Sequence, residues 1–98
     1  MAKGYWIVCY RSISDPTVLV KYAELAGPAI AAGGGKALVR TSDAIEPHEA
    51  GLKQRVVVVE FESFEKAIAT YHSPAYQAAL NVLVSAVERD FRIVEGIA

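Results

Sequence analysis

The stretch Arg-Val-Val-Val-Val-Glu-Phe-Glu at residues 55–62 decides the fold. Successive side chains of a strand point to opposite faces, so the four valines make both faces of this stretch apolar. β-branched residues also favour the extended backbone. A strand that is apolar on both faces is typical of the centre of a sheet that is covered on both sides. We therefore predict a central strand over Arg55–Glu62.

Three further strands are predicted to accompany this central strand. Tyr5–Arg11 is rich in aromatic and β-branched residues and is again apolar on both faces. Lys36–Thr41 and Asp90–Glu95 alternate between two sets of side chains, which is the period of a strand. The polar, turn-rich residues Ser42–Gln54 show no periodicity and predict a loop.

The first helix is predicted to follow the strand Tyr5–Arg11. Asp15 can cap the free amides of a helix, and Pro16 fits the first helical position because it lacks an N–H. Gly27-Pro28 predicts a kink, and Gly33-Gly34-Gly35 predicts the end of the helix.

The second helix is predicted to begin after Ser63 and to restart at Ser73-Pro74, which repeats the signal of a cap followed by proline. The resulting order is strand-helix-strand-strand-helix-strand in a single domain over residues 1–98. Right-handed crossovers place both helices on one face of a four-stranded antiparallel sheet. The predicted fold class is α+β, ferredoxin-like, with the first and third strands in the middle.

Two helices cannot cover both faces of these apolar strands. We assign the following residues to the helix side, since the opposite choice would bury Glu60 against the helices: Trp6, Val8, Tyr10, Val57, Val59 and Phe61. The open side then carries Ile7, Cys9, Leu38, Val56 and Val58. Burying one large aliphatic side chain contributes about 1.5–3 kcal/mol, so a second copy is predicted to cover this face in a homodimer. The alternative is that loop 42–54 folds back over its own sheet.

The composition limits the function classes. The formal net charge of −1 argues against a nucleic-acid-binding protein. There is no signal-peptide layout and no apolar run that could span a membrane, so a cytoplasmic location is expected. One cysteine and two distant histidines, His48 and His72, do not make a metal site, and no cofactor is predicted.

Five motifs resemble a known family. They are Asp15-Pro16 with Tyr22, Gly34–Arg40, Arg55–Phe61, Tyr71–Gln77 and Val94–Gly96. On these the chain is identified as similar to the "domain of unknown function 1330" family of the dimeric α+β barrel superfamily. The resemblance implies two ferredoxin-like subunits packed sheet against sheet, and no agreed reaction. Related families include cofactor-free monooxygenases, muconolactone isomerases, haem-dependent members and ligand-sensing domains.

Two residues are candidates for chemistry on the open face. Arg40 could bind a substrate carboxylate through two N–H groups, with a surface or interface ion pair as the alternative. Glu60 could carry a proton. If Thr41 pairs with Arg55, Lys36 lies opposite Glu60 and an ion pair is the favoured explanation of this carboxylate.

The string Tyr-His-Ser-Pro-Ala-Tyr-Gln at residues 71–77 supplies further candidates. His72 could shuttle protons, although an exposed histidine at a helix end is the simpler interpretation. Tyr76 could contact a ligand, or with Tyr71 it could pack the helix onto the sheet. Cys9 is expected to behave as a small buried apolar residue.

Two functions follow from these candidates. The first is a small dimeric enzyme without a tightly bound cofactor, monooxygenase- or isomerase-like, which acts on a small organic acid or aromatic between the sheet and the helices. Arg40 would orient the substrate, and Glu60 or His72 would move protons. The second is a non-catalytic homodimer that binds a metabolite or a partner protein.

Overall fold

Four antiparallel strands form one sheet with the order β2-β3-β1-β4. The computed structural model describes residues 2–98. Its elements are β1 (Gly4–Ile13), α1 (Pro16–Ala32), β2 (Lys36–Thr41), β3 (Val56–Phe61), α2 (Phe64–Tyr71), α3 (Pro74–Leu83) and β4 (Val87–Glu95). The predicted α+β ferredoxin-like fold is confirmed, with β1 and β3 in the middle and the second helix divided into α2 and α3.

The helix boundaries follow from local capping, as predicted. The side-chain oxygens of Asp15, Ser63 and Ser73 each accept a hydrogen bond from a backbone amide two or three residues further on. The helix α1 continues through Gly27 and Pro28 to Ala32. No helix among residues 2–98 is long and apolar enough to cross a membrane.

A glycine turn carries the chain from α1 into β2. Gly34 has φ of 82°, a left-handed conformation that glycine adopts without steric cost. A Cβ on Gly35 would lie 2.5 Å from the Ile30 side chain and 2.8 Å from the Phe61 ring. Only glycine allows β2 to start this close to the core.

The core lies between the sheet and the helices and centres on Trp6. Its ring lies 5.0 Å from Phe61, 4.7 Å from Tyr76 and 5.2 Å from Phe91, measured between centroids. Its indole N–H donates to the carbonyl of Ala67 in α2 at 2.9 Å. The predicted helix side is confirmed: Trp6, Val8, Tyr10, Val59 and Phe61 are buried, and Val57 packs against them.

A β-bulge in β2 changes which face Arg40 occupies. Lys36 lies opposite Glu60, as predicted, but Val39 rather than Leu38 lies opposite Val58. Because Leu38 is one extra residue, every later side chain of β2 lies on the face opposite to the one that simple alternation predicts. Arg40 lies opposite Val57 on the helix side, so its predicted place on the open face is wrong. Thr41 likewise pairs with Val56 instead of Arg55.

No helix of residues 2–98 covers the other face of the sheet. All three helices pack on the Trp6 side, and the molecule is a plate of 36 × 32 × 17 Å. On the open face Ile7 and Val58 are half-buried, while Cys9 and Val39 are exposed. Loop 42–54 therefore does not bury this face, and the expectation that Cys9 is buried is wrong for the single chain.

Candidate functional site

A cavity of about 240 Å³ separates α1 from the helix-facing side of the sheet. Its wall is largely apolar and includes Val8, Leu19, Ile30, Val57 and Phe91. We call it the arginine cavity, because the guanidinium-bearing residues Arg40, Arg55 and Arg89 also line it.

The cavity opens between α1 and β2. Where α1 borders this opening its residues are Ala23, Gly27 and Ala31, and the facing residue of β2 is Ala37. All four line the cavity and are nevertheless exposed. Small side chains therefore leave an entrance along this edge of the molecule.

Strand pairing aligns two of the arginines with a tyrosine. The backbone N–H of Tyr10 donates to the carbonyl of Arg55 at 2.9 Å, and Tyr10 pairs with Arg89 on its other side. Arg55, directly before β3, thus forms one row with Tyr10 of β1 and Arg89 of β4. Arg40 enters the cavity from the neighbouring strand β2 because of the bulge at Leu38.

Three aromatic rings surround the guanidinium of Arg89. Its central carbon lies 5.5 Å from the ring centroid of Tyr10, 5.4 Å from Tyr22 and 5.1 Å from Phe91. Cation–π attraction from these ring faces offsets part of the loss of hydration. Arg89 also donates to the hydroxyl of Tyr22 at 3.4 Å. The charge is therefore fixed in position.

Tyr76 supports this arrangement from behind. Its hydroxyl lies 2.5 Å from the hydroxyl of Tyr22, and the residue is completely buried. Burial, together with the neighbouring Tyr22, raises the pKa of Tyr76, so this hydroxyl stays neutral at physiological pH. Burial also raises the pKa of Tyr10, against the opposing effect of Arg89. Tyr76 does not line the cavity, but its hydroxyl is hydrogen-bonded to Tyr22, which does.

The three arginines have no carboxylate partner among residues 2–98. The ion pairs in this part of the chain are His48–Glu46 and Arg92–Asp90, and both lie elsewhere. Arg55 donates to the hydroxyl of Ser42 at 3.2 Å. No aspartate or glutamate of residues 2–98 lines the cavity. The electrostatic potential in the cavity therefore favours an anionic ligand.

The predicted proton carriers lie outside the cavity. Glu60 is on the open face, where it accepts a hydrogen bond from the hydroxyl of Tyr5 at 3.3 Å. No Lys36–Glu60 ion pair forms within residues 2–98, so the expected ion pair is wrong despite the correct register. His72 is exposed at the end of α2, with its ring 5.3 Å from that of Tyr71.

Sequence reasoning missed four residues of the site: Tyr10 as a polar group, Tyr22, Arg55 and Arg89. One signal could have found Arg89. The apolar alternation of Phe91 and Ile93, extended back by two residues, places Arg89 on the same helix-facing side. Within the described part of the chain no cluster of three histidine, cysteine or acidic side chains could hold a metal ion.

A family model described as "Domain of unknown function (DUF1330)" matches residues 3–97. The chain belongs to this family. No curated protein matches the sequence. The DUF1330 assignment confirms the resemblance drawn from the motifs and gives no reaction.

Solved structures of similar fold support the architecture. A protein of unknown function from Rhodopseudomonas palustris is 16% identical with a TM-score of 0.71, and the match covers 99% of this chain and 84% of that one. A "Putative antibiotic biosynthesis monooxygenase" from Nitrosomonas europaea is 14% identical with a TM-score of 0.63, over 97% and 90% of the two chains. A protein described as "dimeric ferredoxin-like" and of unknown function from Thermobifida fusca is 17% identical with a TM-score of 0.52, over 99% and 92%. Likeness at this level of identity shows the fold.

Proposed function

We propose that the chain binds a small organic acid with an apolar or aromatic body in the arginine cavity. The observation that carries this proposal is an apolar wall combined with three guanidinium groups that no carboxylate of residues 2–98 neutralises. A guanidinium binds a carboxylate through two parallel N–H···O bonds. The apolar wall supplies the contact area that a small ligand needs.

The size of the cavity limits the ligand. A volume of about 240 Å³ lies just below the usual range of roughly 300–1,000 Å³ for ligand pockets. The body of the acid is therefore of the order of one ring or a short aliphatic chain. The small, exposed residues of α1 and β2 that border the opening leave a route of entry for the ligand.

Titration calorimetry with benzoate and its neutral analogue benzamide tests the proposal. We expect benzoate to bind and benzamide to bind much more weakly. Arg40→Gln should weaken benzoate binding about tenfold, since hydrogen bonds to charged groups contribute roughly 1.5–3 kcal/mol. Arg11→Gln is the matched control, because Arg11 is also exposed and does not line the cavity. Equal losses in the two variants would contradict a site at Arg40.

A cofactor-independent enzyme, monooxygenase- or isomerase-like, is the second candidate. The hydroxyl of Tyr22 favours it, because Tyr22 lines the cavity and its hydroxyl is oriented by Tyr76 and Arg89. A hydroxyl within reach of a bound ligand can donate or accept a proton. Tyr22 replaces Glu60 and His72 in this role, since neither of them lines the cavity.

Turnover of the bound acid tests the second candidate. We expect Tyr22→Phe to lower kcat with little change in KM, because the ring remains and only the hydroxyl is lost. An unchanged kcat would remove Tyr22 from the reaction. A ligand recovered unchanged after long incubation would leave binding as the whole function.

The homodimer belongs to the same proposal. Ile7, Val39, Val56 and Val58 leave an apolar, uncovered sheet face on the single chain. Exposed apolar patches usually mark interfaces, and a two-fold related copy presents the same patch. The Thermobifida fusca protein of similar fold is itself described as dimeric.

A further inference from the structure

We propose that the acid held in the arginine cavity is a dicarboxylic acid, bound at one end by Arg89 and at the other by Arg40 and Arg55. This inference rests on the proposed function, because it names the class of acid that the same cavity takes. It follows from where the positive charges lie and from what holds them apart.

The charges lie on both sides of the central strand β1. Arg55, directly before β3, and Arg89, in β4, are both paired with Tyr10. Neighbouring strands lie about 4.8 Å apart, so the Cα atoms of the two arginines are separated by about 10 Å. The side chain of Tyr10 lies between the two arginines on this face, and its ring contacts the Arg89 guanidinium at 5.5 Å.

Hydrogen bonds keep the two ends distinct. Arg89 is held among three aromatic rings and by the hydroxyl of Tyr22. Arg55 donates in the opposite direction, to the hydroxyl of Ser42 beyond the end of β2. Arg40 lines the cavity from that same strand. The cavity therefore has two cationic ends.

The space between the two ends is apolar. The floor there is formed by Val8, Val57 and the ring of Tyr10. An apolar spacer with a carboxylate at each end matches this order of charge, apolar surface and charge. A compact dianion such as a phosphate group would engage Arg40 and Arg55 and leave Arg89 without a counter-charge.

Three ligands of similar shape test the inference by calorimetry. Terephthalate carries two carboxylates, 4-carbamoylbenzoate carries one carboxylate and one amide, and benzoate carries one carboxylate. We expect terephthalate to bind about tenfold or more tightly than 4-carbamoylbenzoate, because one charge-assisted pair is lost in the amide.

Variants assign the two ends. Arg89→Gln should abolish the advantage of terephthalate over 4-carbamoylbenzoate and leave benzoate binding at the Arg40 end nearly unchanged. Arg89→Lys keeps the charge and loses the planar fork, so it should retain part of the advantage. A lower unfolding temperature would show that Arg89→Gln disturbs the packing of the surrounding aromatic rings. In that case Arg89→Lys still tests the role of the charge. Arg11→Gln should leave the advantage intact.

The outcomes separate the two proposals. If benzoate, terephthalate and a fourth ligand, phenyl phosphate, all fail to bind, the proposed function is wrong. If benzoate binds and terephthalate gains nothing over 4-carbamoylbenzoate, the dicarboxylate inference alone is wrong. If phenyl phosphate binds more tightly than terephthalate, the inference is again wrong, and the preferred anion is a single phosphate.

Discussion

The buried hydroxyl of Tyr76 stabilises the fold through one hydrogen bond. Its only side-chain hydrogen bond among residues 2–98 is to Tyr22. Tyr76→Phe should lower the free energy of unfolding by about 1 kcal/mol, the net contribution of a typical internal hydrogen bond. Urea unfolding measures this loss. Tyr71→Phe is the control, since the Tyr71 hydroxyl makes no hydrogen bond among residues 2–98. An equal loss of stability in the two variants would contradict the expectation.

The sequence predicted only part of what Tyr76 does. The motif at residues 71–77 and the apolar stripe of its helix predicted that this ring could pack onto the sheet, and it does. The partner hydroxyl of Tyr22 lies 54 residues away in the chain. That contact exists only because α1 and α3 pack side by side, and no local pattern encodes it.

The N-terminal cap of α1 makes the stability depend on pH at the scale of one element. The hydroxyl and amide of Thr17 donate to Asp15 at 2.6 and 3.1 Å and hold the pKa of the Asp15 carboxyl below its usual value. A lowered folded-state pKa stabilises the protein above the ordinary pKa of about 3.9, and this stabilisation is lost as the pH falls through the folded-state value.

Asp15→Asn isolates this contribution, because asparagine also caps helices but carries no charge. We expect the wild type to be the more stable protein near neutral pH and the two proteins to converge in strong acid. Unfolding in urea across the acid range measures the difference. A constant difference at every pH would show that the charge of Asp15 does not stabilise the helix.

Helix ends were predictable and strand register was not. Capping at Asp15, Ser63 and Ser73 depends on residues within one turn, so the sequence alone located it. The extra residue in β2 is defined only by its pairing with β3. An alternating pattern of six residues carries no mark of such a shift, so the pattern alone predicts the wrong face for Arg40.

Deletion of Leu38 tests the role of the bulge in β2. The bulge accommodates the extra residue, so its removal restores the simple alternation and leaves Arg40 opposite Val57 on the helix side. We expect benzoate affinity to stay close to that of the wild type, with little change in circular dichroism. Deletion of Ala50, in the exposed loop between β2 and β3, is the control and should leave affinity unchanged. A Leu38 deletion that loses benzoate binding as Arg40→Gln does would contradict the pairing of Arg40 with Val57.

The uncovered sheet face governs assembly at the scale of the whole molecule. Val58→Lys places a charge at the centre of the proposed interface, where its desolvation opposes association. We expect sedimentation velocity to show single subunits for this variant and dimers for the wild type. Val20→Lys is the control, because Val20 is 61% exposed on α1 and should leave the dimer intact. A wild-type protein that sediments as single subunits would contradict the proposed assembly.

The candidate site was less predictable than the fold for a reason of scale. Strands and helices follow from side-chain patterns that repeat every few residues, and these patterns predict the elements correctly. The arginine cavity combines β1, β2, β3, β4 and α1, and its charge pattern appears only when the strands are aligned. Arg40 was selected from the sequence, whereas Arg55 and Arg89 became visible as its companions only in the structure.

The small residues Ala23, Gly27 and Ala31 along α1 have a consequence for engineering. They border the cavity, whereas α1 packs into the Trp6 core through Ala26 and Ala29. A Cβ on Gly27 would meet nothing within 4 Å. Bulkier side chains at these three positions would therefore narrow the range of ligands that the cavity admits and leave the packing of the core intact. Ligand selectivity is then adjustable separately from stability.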